Sequence, residues 1–274
     1  MDRTALITGA TSGLGRALAR HLAVAGFNLV VHGRDSERLR ALTAELDAFG
    51  SSVRTVRADL TEPHDVAAMA SDVTAMVESL EILVNNAAVG GGTDPTVRET
   101  NSGGHELRMV GNYLGPYQLN RALAPLLEAA PQGRIINIAS IGQAPVDLAD
   151  IGFVNGYEGV EAYCRSKLAL IMDTIELGAE LAPRGVTVNA VHPAHLMATR
   201  MVRDSGFEPA TSVEDGVLPV LRLALDSALA MTTGCYFDRF EVAEPHPQAR
   251  DAGVRAGLTR LAKAALRESV PSGA

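Results

Sequence analysis

Cysteine is nearly absent from this 274-residue chain, which carries Cys164 and Cys235 and no other. The two stand in no paired or metal-ligand spacing, which argues against a disulfide framework or a zinc site and predicts structural thiols in a reducing compartment. His21, His32, His64, His105 and His246 show no ligand spacing either, so no metal is expected. Basic charge is in deficit: 24 Lys and Arg stand against 32 Asp and Glu, for a net charge of -8 and a pI near 5.4. A nonspecific nucleic-acid surface needs clustered cations, so nucleic acid is not an expected partner. Long apolar runs are also missing, and none approaches the roughly 18 residues of a membrane span. Met1, Asp2 and Arg3 lead straight into the first apolar run and leave no room for a signal peptide. The expectation is a soluble cytoplasmic protein with no membrane span.

What the chain does have is core and glycine. Hydrophobic residues make up 47%, ample for one large domain. Near the N-terminus, TALITGATSGLG (Thr4 to Gly15) ends a short apolar run at Leu6 and Ile7, turns through Gly9, Gly13 and Gly15, and enters an amphipathic stretch at Leu14. That pattern is strand, glycine turn, helix. Glycines let a ligand approach the backbone, and the free N–H groups at the start of the helix, with the positive end of its dipole, suit a pyrophosphate.

The same alternation continues down the chain. Leu14, Leu18 and Leu22 stripe the first helix, Asn28 to His32 is a strand, Asp35 caps a helix reaching about Phe49, and Val53 to Ala58 is a strand ending at Asp59. Pro63 opens a third helix, Ile82 to Asn86 is the fourth strand, and a glycine-rich loop runs from Gly90 to Gly104. A long helix follows from about His105 to Ala130, where Pro116 predicts a bend, and then a strand from Arg134 to Ser140. A connection from Ile141 to Tyr157 leads to a helix over Gly159 to about Leu181, and Gly185 to His192 is the sixth strand. After a loop from Pro193 to Thr211, a helix near Val213 to Leu229 and a short strand at Cys235 to Phe237 complete the sheet. The fold class is α/β: one doubly wound parallel sheet of about seven strands over residues 1–243, helices on both faces. Residues 244–274 form an extension packed on or near it, whose Arg255, Arg260, Lys263 and Arg267 are expected on a solvated helix face.

In such sheets ligands bind beyond the carboxyl ends of the strands, where strand order reverses. Polar groups gather at those ends: the glycine turn, Gly33-Arg34, Asp59, Asn85-Asn86, Ser140 and His192-Pro193. In the helix after strand five, Tyr163 and Lys167 lie four residues apart and share a face. A neighbouring cation favours phenolate; lowering a tyrosine by about three units takes roughly 4 kcal/mol, which Lys167 with a nicotinamide cation could supply. Such a phenol can exchange a proton with an oxygen while hydride moves to or from its carbon, and Ser140 could hold that oxygen by hydrogen bond. Cys164 points to another helix face as a packing residue, and His195 in the loop after strand six is expected to be an ordinary loop histidine.

Over nearly its whole length the chain resembles the short-chain dehydrogenase/reductase family. The resemblance rests on Thr8-Gly9-Ala10-Thr11-Ser12-Gly13-Leu14-Gly15, Asp59-Leu60, Asn85-Asn86-Ala87-Ala88, Asn112, Ser140, Tyr163, Lys167 and His192-Pro193. It implies a Rossmann-type fold and a catalytic set of Asn112, Ser140, Tyr163 and Lys167. In that set Tyr163 is the acid/base, Ser140 stabilises the substrate oxygen, Lys167 binds the nicotinamide ribose, and Asn112 holds a water linking Lys167 to solvent. The implied cofactor contacts are Gly9, Thr11, Ser12, Gly13, Leu14 and Gly15 on the phosphates, Asp59 and Leu60 at the adenine, and Asn86 and Ala87 near the adenosine ribose. Pro193, Leu196 and Thr199 would surround the nicotinamide amide, beside Tyr163 and Lys167.

Family members that use NAD usually carry an acid at the end of strand two; here Gly33 and Arg34 stand there. An arginine pairs with a 2′-phosphate, so NADP(H) is expected over NAD(H), with Asp35 next in line as the competing feature. Ala88 and Ala194 replace family glycines, and Thr199 comes one place late. The added segment Val146-Asp147-Leu148-Ala149-Asp150 and the Gly234-Cys235-Tyr236-Phe237 tail resemble the retinol dehydrogenase and protochlorophyllide reductase branch. The implied activity is NADP(H)-dependent interconversion of a carbonyl and an alcohol on a bulky, largely apolar small molecule, by a homodimer or homotetramer joined through its two long helices. A reductase of activated carbon-carbon double bonds, a redox epimerase, and a non-catalytic NADP(H) sensor are the alternatives.

Overall fold

A computed structural model describes residues 3–268. The strands β1 (Thr4–Ile7), β2 (Asn28–Gly33), β3 (Val53–Arg57), β4 (Ile82–Asn85), β5 (Gly133–Ile138), β6 (Val186–His192) and β7 (Tyr236–Asp238) all run parallel. The two-residue β8 (Glu241–Val242) closes one edge antiparallel to β7, giving the order β3-β2-β1-β4-β5-β6-β7-β8. β8 is the strand beyond the expected seven, and two residues are too few to show a period. Strand order reverses between β1 and β4, so the crevice of a doubly wound sheet opens above the glycine turn.

The strand residues alternate between two cores, as a pleat requires. Ala5, Ile7, Leu29, Val31, Ile82 and Val84 face one side, where α1 (Gly13–Val24), α2 (Ser36–Leu46) and α8 (Val213–Leu225) cover them. Leu6, Val30, Leu83, Ile135 and Val188 face the other, under α3 (Pro63–Met76), α5 (Gly115–Glu128) and α6 (Gly159–Leu181). No helix among the described residues is long and apolar enough to cross a membrane.

The bend expected at Pro116 takes a definite form. The short α4 (Leu107–Met109) runs into a π turn over Val110–Leu114 and then into α5, so the widened turn precedes an imide that cannot donate to the helix ladder. Asn112 lies in this π turn. Asn85, expected among the polar groups at the open strand ends, turns inward and is 3% exposed. Its Nδ2 donates to Asn120 Oδ1 (2.6 Å) and Asn137 Oδ1 (2.7 Å), and Asn137 Nδ2 donates to Thr174 Oγ1 (2.9 Å). These bonds, with the Arg121–Asp173 ion pair at 2.7 Å, set α5 and α6 against the sheet.

The chain after β8 folds back. α9 (Ala252–Glu268) packs on α6, with Leu258 and Ala262 buried beside Tyr113 and Met172. Arg255, expected on a solvated face, instead turns toward α6: its Nε meets Glu176 at 2.5 Å and its Nη1 donates to the Ala249 carbonyl.

Two polar side chains inside the fold hold its loops. Arg108 is fully buried; it donates to the carbonyls of Gly90 (3.0 Å) and Gly91 (3.2 Å) and pairs with Glu99 and the buried Glu106. Glu106 in turn accepts from the Met109 amide and the Tyr157 hydroxyl, so one cluster ties the loop after β4 to the approach to α6. His32 in β2 sits behind the glycine turn. Its Nδ1 accepts the Gly9 amide at 3.1 Å, which leaves Nε2 to carry the ring proton and donate to the Ala58 carbonyl at 3.1 Å. The bond accepted by Nδ1 requires a neutral ring, and burial lowers its pKa below 6.5.

Two outcomes follow. Replacing Arg108 by Met leaves Glu106 buried without its cation and should cost about 3–5 kcal/mol in urea unfolding; pairing it with Glu106→Gln should recover part of that loss. For His32, a folded pKa below the unfolded 6.5 means that its stabilisation is complete above 6.5 and is lost as pH falls through the folded value. The urea midpoint of the parent should therefore fall on acidification through this window more steeply than that of His32→Gln.

Candidate active site

Each residue singled out above lies at the carboxyl edge of the sheet or on a helix that borders it. The turn between β1 and α1 is tightly braced. Gly9 has φ +64°, and a Cβ there would lie 2.9 Å from Ala87 Cα; a Cβ on Gly15 would come within 2.3 Å of the Gly9 carbonyl oxygen. Larger residues fit neither position. Thr8 Oγ1 accepts the amides of Asn86 (2.9 Å) and Ala87 (3.0 Å), and Asn86 Nδ2 donates to the carbonyls of Thr8 (2.9 Å) and Gly9 (3.2 Å). The Asn86 amide thus braces the turn from behind. Leu14 is buried in the core, and Thr11 lies against Gly33, where a Cβ would meet its methyl at 2.7 Å.

Among the helices around the site, Asp35 caps α2, Glu158 caps α6 and Ser212 caps α8, while Glu62 at the start of α3 gives no side-chain cap. At the start of α1, Ser12 provides none. The first turn of α1 therefore presents its N–H groups and dipole beside glycines that admit a close approach, a donor set that fits a dinucleotide pyrophosphate.

At the end of β2, Asp35 spends its Oδ1 on the amides of Glu37 (2.9 Å) and Arg38 (3.2 Å), which hold its carboxyl below the usual carboxylate range. Arg34 beside it is 73% exposed and reaches Asp59 at the end of β3, Nη1 to Oδ2 at 3.6 Å. Asp59 also accepts the Thr61 amide and hydroxyl. Leu60 packs into the core with its carbonyl against Gly115.

After β6, Pro193 is buried, Leu196 takes φ +42°, and Thr199 caps the short α7 (Arg200–Asp204). Gly13 and Thr199 meet, since a Cβ on Gly13 would stand 3.3 Å from the Thr199 methyl. The loop after β6 therefore reaches the glycine turn. His195 in that loop is exposed, and its carbonyl accepts the Thr211 hydroxyl.

On α6, Tyr163 and Lys167 come together as their spacing requires, with Lys167 Nζ 5.5 Å from the centre of the Tyr163 ring. The amine is buried and donates to the Ile138 carbonyl at 2.7 Å; burial lowers its pKa to about 7. Burial also pushes the Tyr163 phenol up to about 12, and the Ser140 hydroxyl is the neighbour that pulls the other way. The lowering expected of Lys167 acting with a nicotinamide cation belongs to the cofactor-bound site; here the amine is directed at a backbone carbonyl. Asn112 is 1% exposed; its Oδ1 accepts the Val89 amide (2.7 Å), and its Nδ2 donates to the Val89 carbonyl and to Ser166 Oγ, each at 2.9 Å. Ser166 in turn donates to the Tyr163 carbonyl, so Asn112 touches α6 one turn from the phenol.

Beside Ser140 lies a cleft of about 350 Å³, walled by Ile141, Gln143, Tyr236, Asp238, Pro245 and His246 among others. Sequence reasoning left Gln143 and Arg108 unmentioned and gave His32, His246 and Tyr236 no role in the site. Only His32, a histidine within an apolar strand facing the glycine turn, offered a signal. Among the described residues no cluster of His, Cys, Asp or Glu could hold a metal ion.

Known proteins resemble this chain in sequence and fold. A family model for the short chain dehydrogenases matches residues 3–208. Retinol dehydrogenase 13 of Mus musculus is 31% identical over 92% of this chain and 80% of its own length, and polyprenol dehydrogenase of the same organism is 33% identical over 91% and 79%. A metagenomic short-chain oxidoreductase solved in complex with NADP is 31% identical, covers 86% of this chain and 95% of its own, and superposes with a TM-score of 0.66. With three quarters of its length under that family model and relatives matched along nearly all of it, the chain belongs to the short-chain dehydrogenase family of oxidoreductases, on its retinol dehydrogenase-like branch.

Proposed function

We propose that this protein uses NADP(H) to interconvert a carbonyl and an alcohol on a bulky, largely apolar small molecule. The observation that carries the reading is the convergence of Tyr163, Ser140 and the buried Lys167 amine at the edge of the sheet that also bears the uncapped glycine turn. The first turn of α1 would hold the pyrophosphate. Asp59, Leu60, Asn86 and Ala87 would border the adenosine, and Lys167, Pro193, Leu196 and Thr199 the nicotinamide riboside. Bound NADP(H) supplies the hydride or takes it up.

The protein's own groups handle the proton. Tyr163 gives a proton to the substrate oxygen during reduction, or takes one during oxidation, and Ser140 holds that oxygen by hydrogen bond. An amine whose pKa lies near 7 can pass a proton at neutral pH, which suits Lys167 to resupply the phenol. Asn112 fixes the turn of α6 that carries both.

Preference for the phosphorylated cofactor is supported by Arg34, exposed at the end of β2, and by Asp35, whose carboxylate is committed to capping α2. It is supported as well by the NADP in the metagenomic relative. The substrate class is supported by two relatives named for retinol and polyprenol, both bulky apolar alcohols.

Turnover is to be followed by nicotinamide absorbance on a panel of aldehydes, ketones and alcohols. Tyr163→Phe should lower kcat by at least about 10²–10⁴, the usual worth of a general acid/base, with NADPH affinity unchanged; full activity in this variant sinks the reading. Arg34→Ala should raise the KM for NADPH by about 10–100-fold, as the loss of one charge-assisted hydrogen bond predicts, and leave that for NADH nearly as it was. Equal effects on the two cofactors would remove the NADP(H) assignment.

A further inference from the structure

Ser140 is held through its backbone as well as by its place at the end of β5. Its carbonyl oxygen accepts the Tyr236 hydroxyl at 3.2 Å and Gln143 Nε2 at 3.2 Å. The orientation of the Gln143 amide is not free: its Oε1 accepts the His246 main-chain amide at 2.7 Å, and since an N–H can only donate, the amide nitrogen must face Ser140. A second glutamine repeats the tie. Gln248 accepts the Val146 amide at 2.7 Å and donates to the Val146 carbonyl at 2.9 Å, as a neighbouring strand would. The loop that leaves Ser140 is thus stitched to residues 246–248. That segment is anchored in turn by α9, through Arg255 on the Ala249 carbonyl and on Glu176 of α6.

We propose that Gln143 and Tyr236 are positioning residues of the reaction, which hold the Ser140 carbonyl from two sides and, through the C-terminal segment, aim its hydroxyl at Tyr163. The inference rests on the proposed role of Tyr163 in proton transfer. Three observations meet in it. The two side chains converge on a single oxygen of the residue whose hydroxyl neighbours the phenol. Tyr236 is 5% exposed, so its hydroxyl has been taken from water to make this contact. Both side chains also wall the cleft that opens at Ile141, the residue after Ser140, so a molecule there would lie against the segment that positions Ser140. The extension beyond β8 is then part of the active site, although it carries no reacting group. Because Ser140 draws the phenol's pKa down, a misaimed hydroxyl would leave Tyr163 a weaker acid.

The test uses the full chain with Tyr236→Phe and Gln143→Met, which delete the hydrogen bonds at nearly constant shape. With decanal as the hydride acceptor and NADPH as donor, each variant should lose about tenfold in kcat, within the range that small misplacements cost, at an unchanged KM for NADPH. In protein labelled with ¹³C at the tyrosine ζ carbon, the signal missing from Tyr163→Phe identifies Tyr163. That signal should shift at neutral pH in both positioning variants and stay in place in Gln118→Met, a distant control. A Tyr163 signal unmoved in both variants, at an unchanged melting temperature, overturns the inference whatever the turnover. Retained activity in Tyr163→Phe would overturn the reading beneath it instead, and the two failures are told apart by these separate variants.

Discussion

The site depends on one short contact, the bond from the buried Lys167 ammonium or amine to the Ile138 carbonyl at 2.7 Å. It joins the middle of α6 to the last residue of β5, and so fixes how far along the sheet edge Tyr163 can sit relative to Ser140. Taking an amine out of water is costly, and the cost appears as a pKa lowered to about 7. Composition sharpens the point: of the 24 basic residues only Lys167 and Lys263 are lysines. A chain that otherwise relies on arginine carries a lysine at this buried position, where an amine can lose its proton near neutrality and a guanidinium cannot.

Around that contact, backbone groups are held by side chains from distant parts of the chain. His32, Thr8 and Asn86 close on the glycine turn, and Arg108 gathers the loop after β4. Asn112 brackets Val89 with both ends of its amide while reaching Ser166. Two connections, the glycine turn and the loop after β4, are thereby given definite paths, each by polar atoms that are themselves satisfied by the contact.

Much of this was legible in the sequence, and the legible part is local. The glycine turn declares itself through residues adjacent in the chain, and Tyr163 and Lys167 through a helical repeat that puts them on one face. Gly159–Leu181 emerges with the bounds its pattern predicts. What was not legible depends on partners far apart. Gln143 meets His246 across 103 positions and Tyr236 meets Ser140 across 96, and no period or motif connects them. Asn85 illustrates a subtler failure. A polar residue at a strand end can face the crevice or the helices; Asn85, two places after Leu83 on the same pleat face, turns inward to partners Asn120 and Asn137 that lie 35 and 52 positions away.

The π turn at Val110–Leu114 makes the helix that bears it intolerant of a change in length. An α-helix advances about 100° per residue, so removing one residue from the widened turn would restore ordinary winding and swing everything before it, α4 and Arg108 included, by that angle about the axis. Gly111 leaves little latitude for such a rotation, since even a Cβ there would come within 2.8 Å of Val89. Length at this point is therefore as constrained as identity: substitutions can be absorbed one contact at a time, whereas a single deletion would dislocate the loop after β4 and the Asn112 bracket together.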